Sequence, residues 1–292
     1  MIDAFADLRK RLAVMPNFGF RYREFASPIL ECLNRELWTG PQSEGEIELV
    51  GSWPRGTAVA GISNFNIIYE LPKAIGENLQ RGWKQELEAT LMSLEHVLRR
   101  QFPDTTLDLA THSLIISRIK PAPICIAPVI RLRNTELARL SADEFGFRQP
   151  MELDPSYRAL SQLDSIEREN YAMICKISRL WKATHKVPIS GFLIDTLCLH
   201  FISQAALRKK PEKYQDCLLR DFFRYLADQE PRQTSWSLPG SSEAIHRSGA
   251  FEPFAATAYS IAQYALDQAA GNEEKSAKSA WRHLLGNYLP PA

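Results

Sequence analysis

From residue 20 to 38 apolar side chains recur at every fourth position. Phe25, Ile29, Leu33 and Leu37 make one stripe, and the spacing predicts a first helix. The period changes after Glu46: Ile47 and Leu49 alternate with polar neighbours up to Val50, Gly51 and Ser52 interrupt, and a β-rich run resumes from Phe65 to Leu71. That pattern predicts strand, tight turn, strand. Leu87, Leu91, Leu94 and Leu98 restore helical spacing between Lys84 and Gln101, with Pro103 as a stop. Two further strands are expected at 112–119 and 124–132, joined as a hairpin by the Lys-Pro-Ala-Pro segment at 120–123.

Beyond about residue 150 the strand pattern ends and long helical patterns take over. Asp154-Pro155 suits an N-cap followed by proline in the first turn. Ile166, Asn170, Ile174, Ile177 and Trp181 are expected on one face of the helix that follows. Later helices are expected at 192–207, 214–226, 254–270 and 274–285, the last ending at Gly286. The Pro-, Ser- and Gly-rich stretch 230–249 reads as a long surface loop. The chain therefore reads as α+β: a mixed sheet with helices in an N-terminal lobe, residues 1–150, and a helical C-terminal lobe, residues 151–292.

Composition narrows the function classes. With 35 Lys+Arg against 34 Asp+Glu, the net charge of +1 supplies no global field for holding a long nucleic acid, so any anion must be bound locally. The five cysteines are scattered, odd in number and without a CxxC pair, which argues against a disulfide framework or a zinc site and fits a reducing cytoplasm. No run approaches the roughly 18 apolar residues needed to span a bilayer. The histidines make no metal-ligand spacing, and Glu70 lies too far along its strand to substitute for a residue at 66.

The segment GSWPRGTAVAGISNFNIIYEL, 51–71, carries the candidate chemistry. Gly51 lets backbone approach a triphosphate, Ser52 offers a hydroxyl and an N–H, and Gly56-Thr57 give a second approach point. On a strand, positions 64 and 66 project from one face, where two carboxylates could share metal ions for displacement at phosphorus. Here both positions are Asn.

This run resembles the GSxxxGT…DxD signature of polymerase β-like nucleotidyltransferases. Three more stretches narrow the resemblance to the bacterial cGAS/DncV-like nucleotidyltransferases (CD-NTases) of CBASS anti-phage systems: ENYAMICKISRLWKATHKVPISGFLID at 169–195, ICIAPVI at 124–130, and the C-terminal run from AATAYSIAQYAL to LLGNYLP. The resemblance implies a two-lobed fold with ATP or another NTP held between the lobes, and Mg²⁺ activating a ribose hydroxyl that attacks an α-phosphate. Pyrophosphate leaves, and the cyclic oligonucleotide finally released activates an effector protein; a regulatory partner protein fits the same scheme. Residue by residue, it places Asn64 and Asn66 on the two metal-binding aspartates and Cys125 on the third acid. Gly51, Ser52, Arg55, Gly56 and Thr57 fall on the triphosphate turn and its flank, while Arg179, Lys182 and Ser190 fall on nucleotide-facing positions of the helical lobe. Lys176 and Lys186, on the same charged stripe, read as surface.

The departure from the pattern is severe, because an amide offers Mg²⁺ an oxygen but no charge. As written, the chain is expected to be catalytically disabled. An isosteric Asp-to-Asn pair introduced to trap substrate accounts for the intact phosphate turn, whereas Cys125, which also reads as a buried small hydrophobe, fits a natural pseudoenzyme. Two other readings stay open: a nucleotide sensor or scaffold that never catalyses, and a transferase that extends a nucleic-acid end or modifies a protein.

Overall fold

The computed structural model describes residues 2–12, 18–38, 47–108, 113–117, 123–131, 137–139, 150–151, 156–240 and 244–289. In chain order the elements are α1 (Ile2–Leu12), α2 (Phe18–Leu37), β1 (Ile47–Val50), β2 (Phe65–Glu70), α3 (Lys73–Gln101), β3 (Thr105–Asp108), β4 (Ser113–Ile116), β5 (Ile124–Arg131), β6 (Leu137–Arg139) and β7 (Pro150–Met151). There follow α4 (Ser156–Ser161), α5 (Ser165–His185), α6 (Gly191–Gln204), α7 (Gln215–Ala227), β8 (Ser235–Ser237), β9 (Ala244–His246), α8 (Glu252–Ala270) and α9 (Glu274–Leu285). Two compact units result, one of Met15–Pro54 with Ser63–Asp154 and one of Met1–Val14, Arg55–Ile62 and Pro155–Ala292.

The first unit is built on a mixed sheet ordered β1-β2-β5-β4-β3, with β6 and β7 continuing from the far end of β5. β2 runs parallel to β5, Asn66 opposite Cys125, and antiparallel to β1, Val50 opposite Asn66. One face is closed by helices. Phe65, Ile67 and Tyr69 of β2 and Ile124 and Ile126 of β5 are buried there, Phe25 of α2 packs on Phe65 with ring centroids 4.6 Å apart, and the Tyr69 hydroxyl accepts from Trp38 Nε1 at 3.0 Å. α3 lies against β3, β4 and β5. On the opposite face Asn66, Cys125 and Ala127 are half-buried and Asn64 is exposed. Ile68 and Val129 on that side are buried, so the opposite face is partly open only near the starts of β2 and β5.

The second unit is helical. Its core includes Ile174, Ile177, Trp181, Leu193, Leu197, Leu219, Phe222, Phe223, Ala258, Ala262 and Trp281. α5 begins with a capping box: the Asp164 side chain accepts from Glu167 N at 2.9 Å, and the Glu167 carboxylate accepts from Asp164 N at 3.0 Å. Both arms satisfy amides the first turn leaves open. The helix ends at Lys186 in the left-handed region, φ 52°.

Several sequence expectations change. α3 starts at Lys73, well before Lys84. The sequence pattern does not predict β3, and the Pro-, Ser- and Gly-rich stretch expected to be a surface loop contains the β8–β9 hairpin, with Trp236 and Leu238 buried. Ile166, in the first turn of α5, is 41% exposed, whereas Asn170, Ile174, Ile177 and Trp181 of the same stripe are buried. The N-terminal segment and residues 55–62, assigned by sequence to the first lobe, group with the helical unit; Phe5, Leu8 and Val59 lie in that unit's apolar core. Asp154-Pro155, His112, Glu46, Leu132 and most of the 120–123 turn lie outside the described residues. Among the described residues no helix is long and apolar enough to cross a membrane.

Candidate functional site

In the sheet unit, the open face brings the glycine turn and the two strands together. Gly51 has φ 84°, a conformation that favours glycine, and a Cβ built on it would stand 3.0 Å from Asn66 Nδ2. The turn backbone therefore lies directly against the Asn66 amide. Trp53 holds it there: its ring stacks on Phe65 at 4.4 Å and 13°, and its Nε1 donates to Ser63 O at 3.3 Å. A ring pair of this kind adds roughly 0.5–1.5 kcal/mol beyond the area it buries. Ser52 is buried in the same turn. The structure thus collects Gly51, Asn66 and Cys125 at one place on the sheet, with Ser52 in the same turn; Asn64, expected on a strand beside Asn66, lies just before β2 and is exposed.

The residues at these seats do not fit Mg²⁺. Asn64 and Asn66 offer neutral carbonyl oxygens, and Cys125 offers a thiol, whereas this ion takes carboxylate and phosphate oxygens. Among the described residues no group of three His, Cys, Asp or Glu is placed to hold a metal. Glu70 lies on the same strand face but is occupied by Arg131, whose Nε donates to its Oε1 at 2.7 Å.

In the helical unit three of the remaining candidates, Arg55, Thr57 and Arg179, converge on a residue outside the predicted set. Asp195, on α6, is 2% exposed. Its Oδ2 accepts from Arg55 Nη2 at 3.0 Å, from Arg55 Nε at 3.2 Å and from Thr57 Oγ1 at 2.9 Å, while Oδ1 lies 2.6 Å from Arg179 Nη1. Both arginine side chains are 5% exposed. Arg179 also donates to Cys175 O at 3.2 Å and Gly191 O at 3.0 Å, and Arg55 stacks over Phe192, 4.9 Å from the ring centroid. Burial alone would raise the Asp195 carboxyl; Arg179 and Arg55, with hydrogen bonds from Arg179 and Thr57, outweigh it and hold the group below its ordinary value. The Tyr171 hydroxyl, fully buried, is pushed well up, first by burial and then by Asp195.

The other helical candidates are less engaged. Lys182 is half-buried, and burial followed by Arg179 lowers its pKa. Ser190 is the N-cap of α6, its Oγ accepting from Leu193 N at 3.0 Å. Gly56, φ 73°, has nothing within 4 Å of a built Cβ. Lys186 is exposed as expected, but Lys176 is not a surface residue: it is 6% exposed and its Nζ donates to Leu12 O at 2.9 Å, on the last turn of α1. That contact places a cation on carbonyls a helix end leaves open. A sequence signal for Asp195 did exist, since an isolated acid inside the apolar run GFLIDTLCLHFI must be paired when buried.

No family model matches the sequence, and no curated relative does. Solved structures do match the fold. CdnC of E. coli MS115-1 with ATP is 16% identical, with 98% of each chain covered and a TM-score of 0.67. The complex of that CdnC with HORMA-deltaN gives 16%, 98% of this chain and 97% of that chain, and 0.68. DncV of Vibrio cholerae, a cyclic AMP-GMP synthase in complex with a linear intermediate, gives 9%, 98% and 85%, and 0.63. The chain has the CD-NTase fold. The α+β organisation read from the sequence agrees with it, and the coverage extends over both units.

Proposed function

We propose that the chain is a CD-NTase-type protein that holds a nucleoside triphosphate on the open sheet face at Gly51 and Ser52 and, with Asn64, Asn66 and Cys125 at the acid positions, does not convert it. The observation carrying this reading is the close approach of the Gly51 backbone to Asn66 Nδ2 beside Cys125. A phosphate seat and the two strands expected to carry acids are side by side, and the acids are absent. The ATP- and intermediate-bound neighbours support NTPs as the ligand class.

In a form carrying carboxylates at 64 and 66, the same site would serve the reaction the resemblance implies: attack of a ribose hydroxyl on an α-phosphate, loss of pyrophosphate, and closure of a cyclic oligonucleotide that switches on an effector in anti-phage defence. A regulatory protein partner is part of the proposal, supported by the HORMA-bound neighbour, and five free thiols suit a cytoplasmic setting. A nucleotide-sensing or scaffolding role is the second reading, favoured by Cys125, because the third acid position is neutral as well.

The test uses three proteins: the chain as it stands, N64D/N66D, and N64D/N66D/C125D. Each is incubated with Mg²⁺ and labelled NTPs, and products are identified by mass spectrometry. The expected result is triphosphate binding by the original chain without turnover, and a phosphatase-resistant cyclic product from a carboxylate form. Binding without product in all three favours the sensor; label retained on added RNA or on the protein favours an end-extending or protein-modifying transferase. No NTP binding by any form sinks the proposal.

A further inference from the structure

We propose that Asp195 is the positioning residue of the nucleotide site, and that Arg55, Thr57 and Arg179 serve as its scaffold rather than as ligands of the triphosphate. The proposal rests on the reading of the 51–57 turn as a phosphate seat, and it goes further by assigning the residues around that turn to different tasks.

Three observations carry it. The first is commitment: one carboxylate takes two hydrogen bonds from Arg55 and one from Thr57 on Oδ2, and Arg179 on Oδ1, all within 3.2 Å. A triphosphate contacted by those guanidiniums would have to displace a charge-assisted network whose arginine and Asp195 side chains are 5% exposed or less. The second is backbone anchoring. Arg179 spends further donors on Cys175 O and Gly191 O, and a Cβ at Gly191 would sit 3.4 Å from Arg179 Nε, so the start of α6 is fitted around the guanidinium. The third is placement in the chain. Arg55 and Thr57 follow Gly51 and Ser52 within six residues, so fixing 55 and 57 removes freedom from the outgoing end of the turn. Val59, a little further on, is buried in the same core as α5 and α6. A phosphate seat built of backbone amides works only when those amides are held in place before the ligand arrives. On this assignment the turn's own backbone and Ser52 meet the phosphates.

The test measures ATP affinity and melting temperature for Asp195→Asn, Arg55→Gln and the double variant. If Asp195 acts through Arg55, each single change weakens ATP binding about tenfold or more, and the double variant is no worse than about threefold beyond either, because the two residues act as one unit. If Arg55 touches phosphate directly, the factors multiply to about a hundredfold, and the proposal is overturned. It is equally overturned if Asp195→Asn leaves ATP affinity unchanged or improves it. Thr57→Val keeps every charge and removes one bond to Oδ2, so it serves where Asp195→Asn does not fold, with an expected loss of about three- to tenfold. A second readout needs no nucleotide: amide exchange at 55–62 in the ligand-free chain should be at least about tenfold faster in Asp195→Asn or Thr57→Val. Should the original chain bind no triphosphate, the phosphate-seat reading fails, whereas unchanged exchange at 55–62 would sink the anchoring role of Asp195 by itself.

Discussion

Replacing Gly51 with alanine separates backbone strain from geometry at the site. Gly51 and Gly56 both have positive φ, 84° and 73°, so an alanine at either pays the left-handed penalty of roughly 1–2 kcal/mol, partly offset by about 0.4–1 kcal/mol from a stiffer unfolded chain. The net loss of stability should therefore be similar, about 1 kcal/mol, at the two positions. What differs is the space. At 56 the added methyl meets nothing within 4 Å, whereas at 51 it comes to 3.0 Å from Asn66 Nδ2. The amide end must give way, or the turn must lift off β2. Urea unfolding followed by tryptophan fluorescence should give comparable midpoint shifts for G51A and G56A. ATP titration calorimetry should separate them, with G51A weaker by about tenfold and G56A by less than about threefold, since a displaced turn amide forfeits a charge-assisted bond. Equal affinity losses, or a larger loss in G56A, would refute the idea that the phosphate seat lies where Gly51 meets Asn66.

Other outcomes test the remaining contacts. Lowering the pH should weaken the helical unit through Asp195: its folded pKa is depressed, so the stabilisation is complete above the unfolded value of 3.8 and is lost as the pH falls through the lower folded value. Acid unfolding of Asp195→Asn, monitored by circular dichroism, should lack that component below about pH 4. Ser190→Ala should cost about 1 kcal/mol as a lost N-cap, and urea titration beside ATP titration shows whether the nucleotide feels more than that. Lys176→Met should free Leu12 O and cost about 1–3 kcal/mol, seen as faster amide exchange along α1. Trp53→Ala should remove the stacked clamp on Phe65 and cost about 3–5 kcal/mol in the sheet unit, measured by urea unfolding.

Most of the elements were legible because their cause is local. The helical spacing of Leu87, Leu91, Leu94 and Leu98 reports one buried face, which is the one the structure buries, and the β-rich run from Phe65 to Leu71 contains β2. The errors came where local pattern was short or ambiguous. β8 and β9 are three residues each, too brief to show a period, and only their pairing with each other, with Trp236 buried, defines them. Lys176 of α5 reads as surface from its charged stripe, but a helix surrounded by other elements buries its polar positions too, so Lys176 lies inside against Leu12 O, as Arg179 does against Gly191 O and Asp195.

The sequence by itself determined the chemistry available at the candidate site: a glycine turn able to take positive φ, and neutral amides at 64 and 66, both of which follow from residue type alone. Only the tertiary structure decided which candidates meet. The pairing of β2 with β5 sets Asn66 opposite Cys125, and the docking of residues 55–62 on α5 and α6 delivers Arg55 and Thr57 to Asp195, 138 and more positions away in the chain. Such contacts depend on which surfaces find each other, and charges legible only as residue types in one dimension are found buried and paired in three.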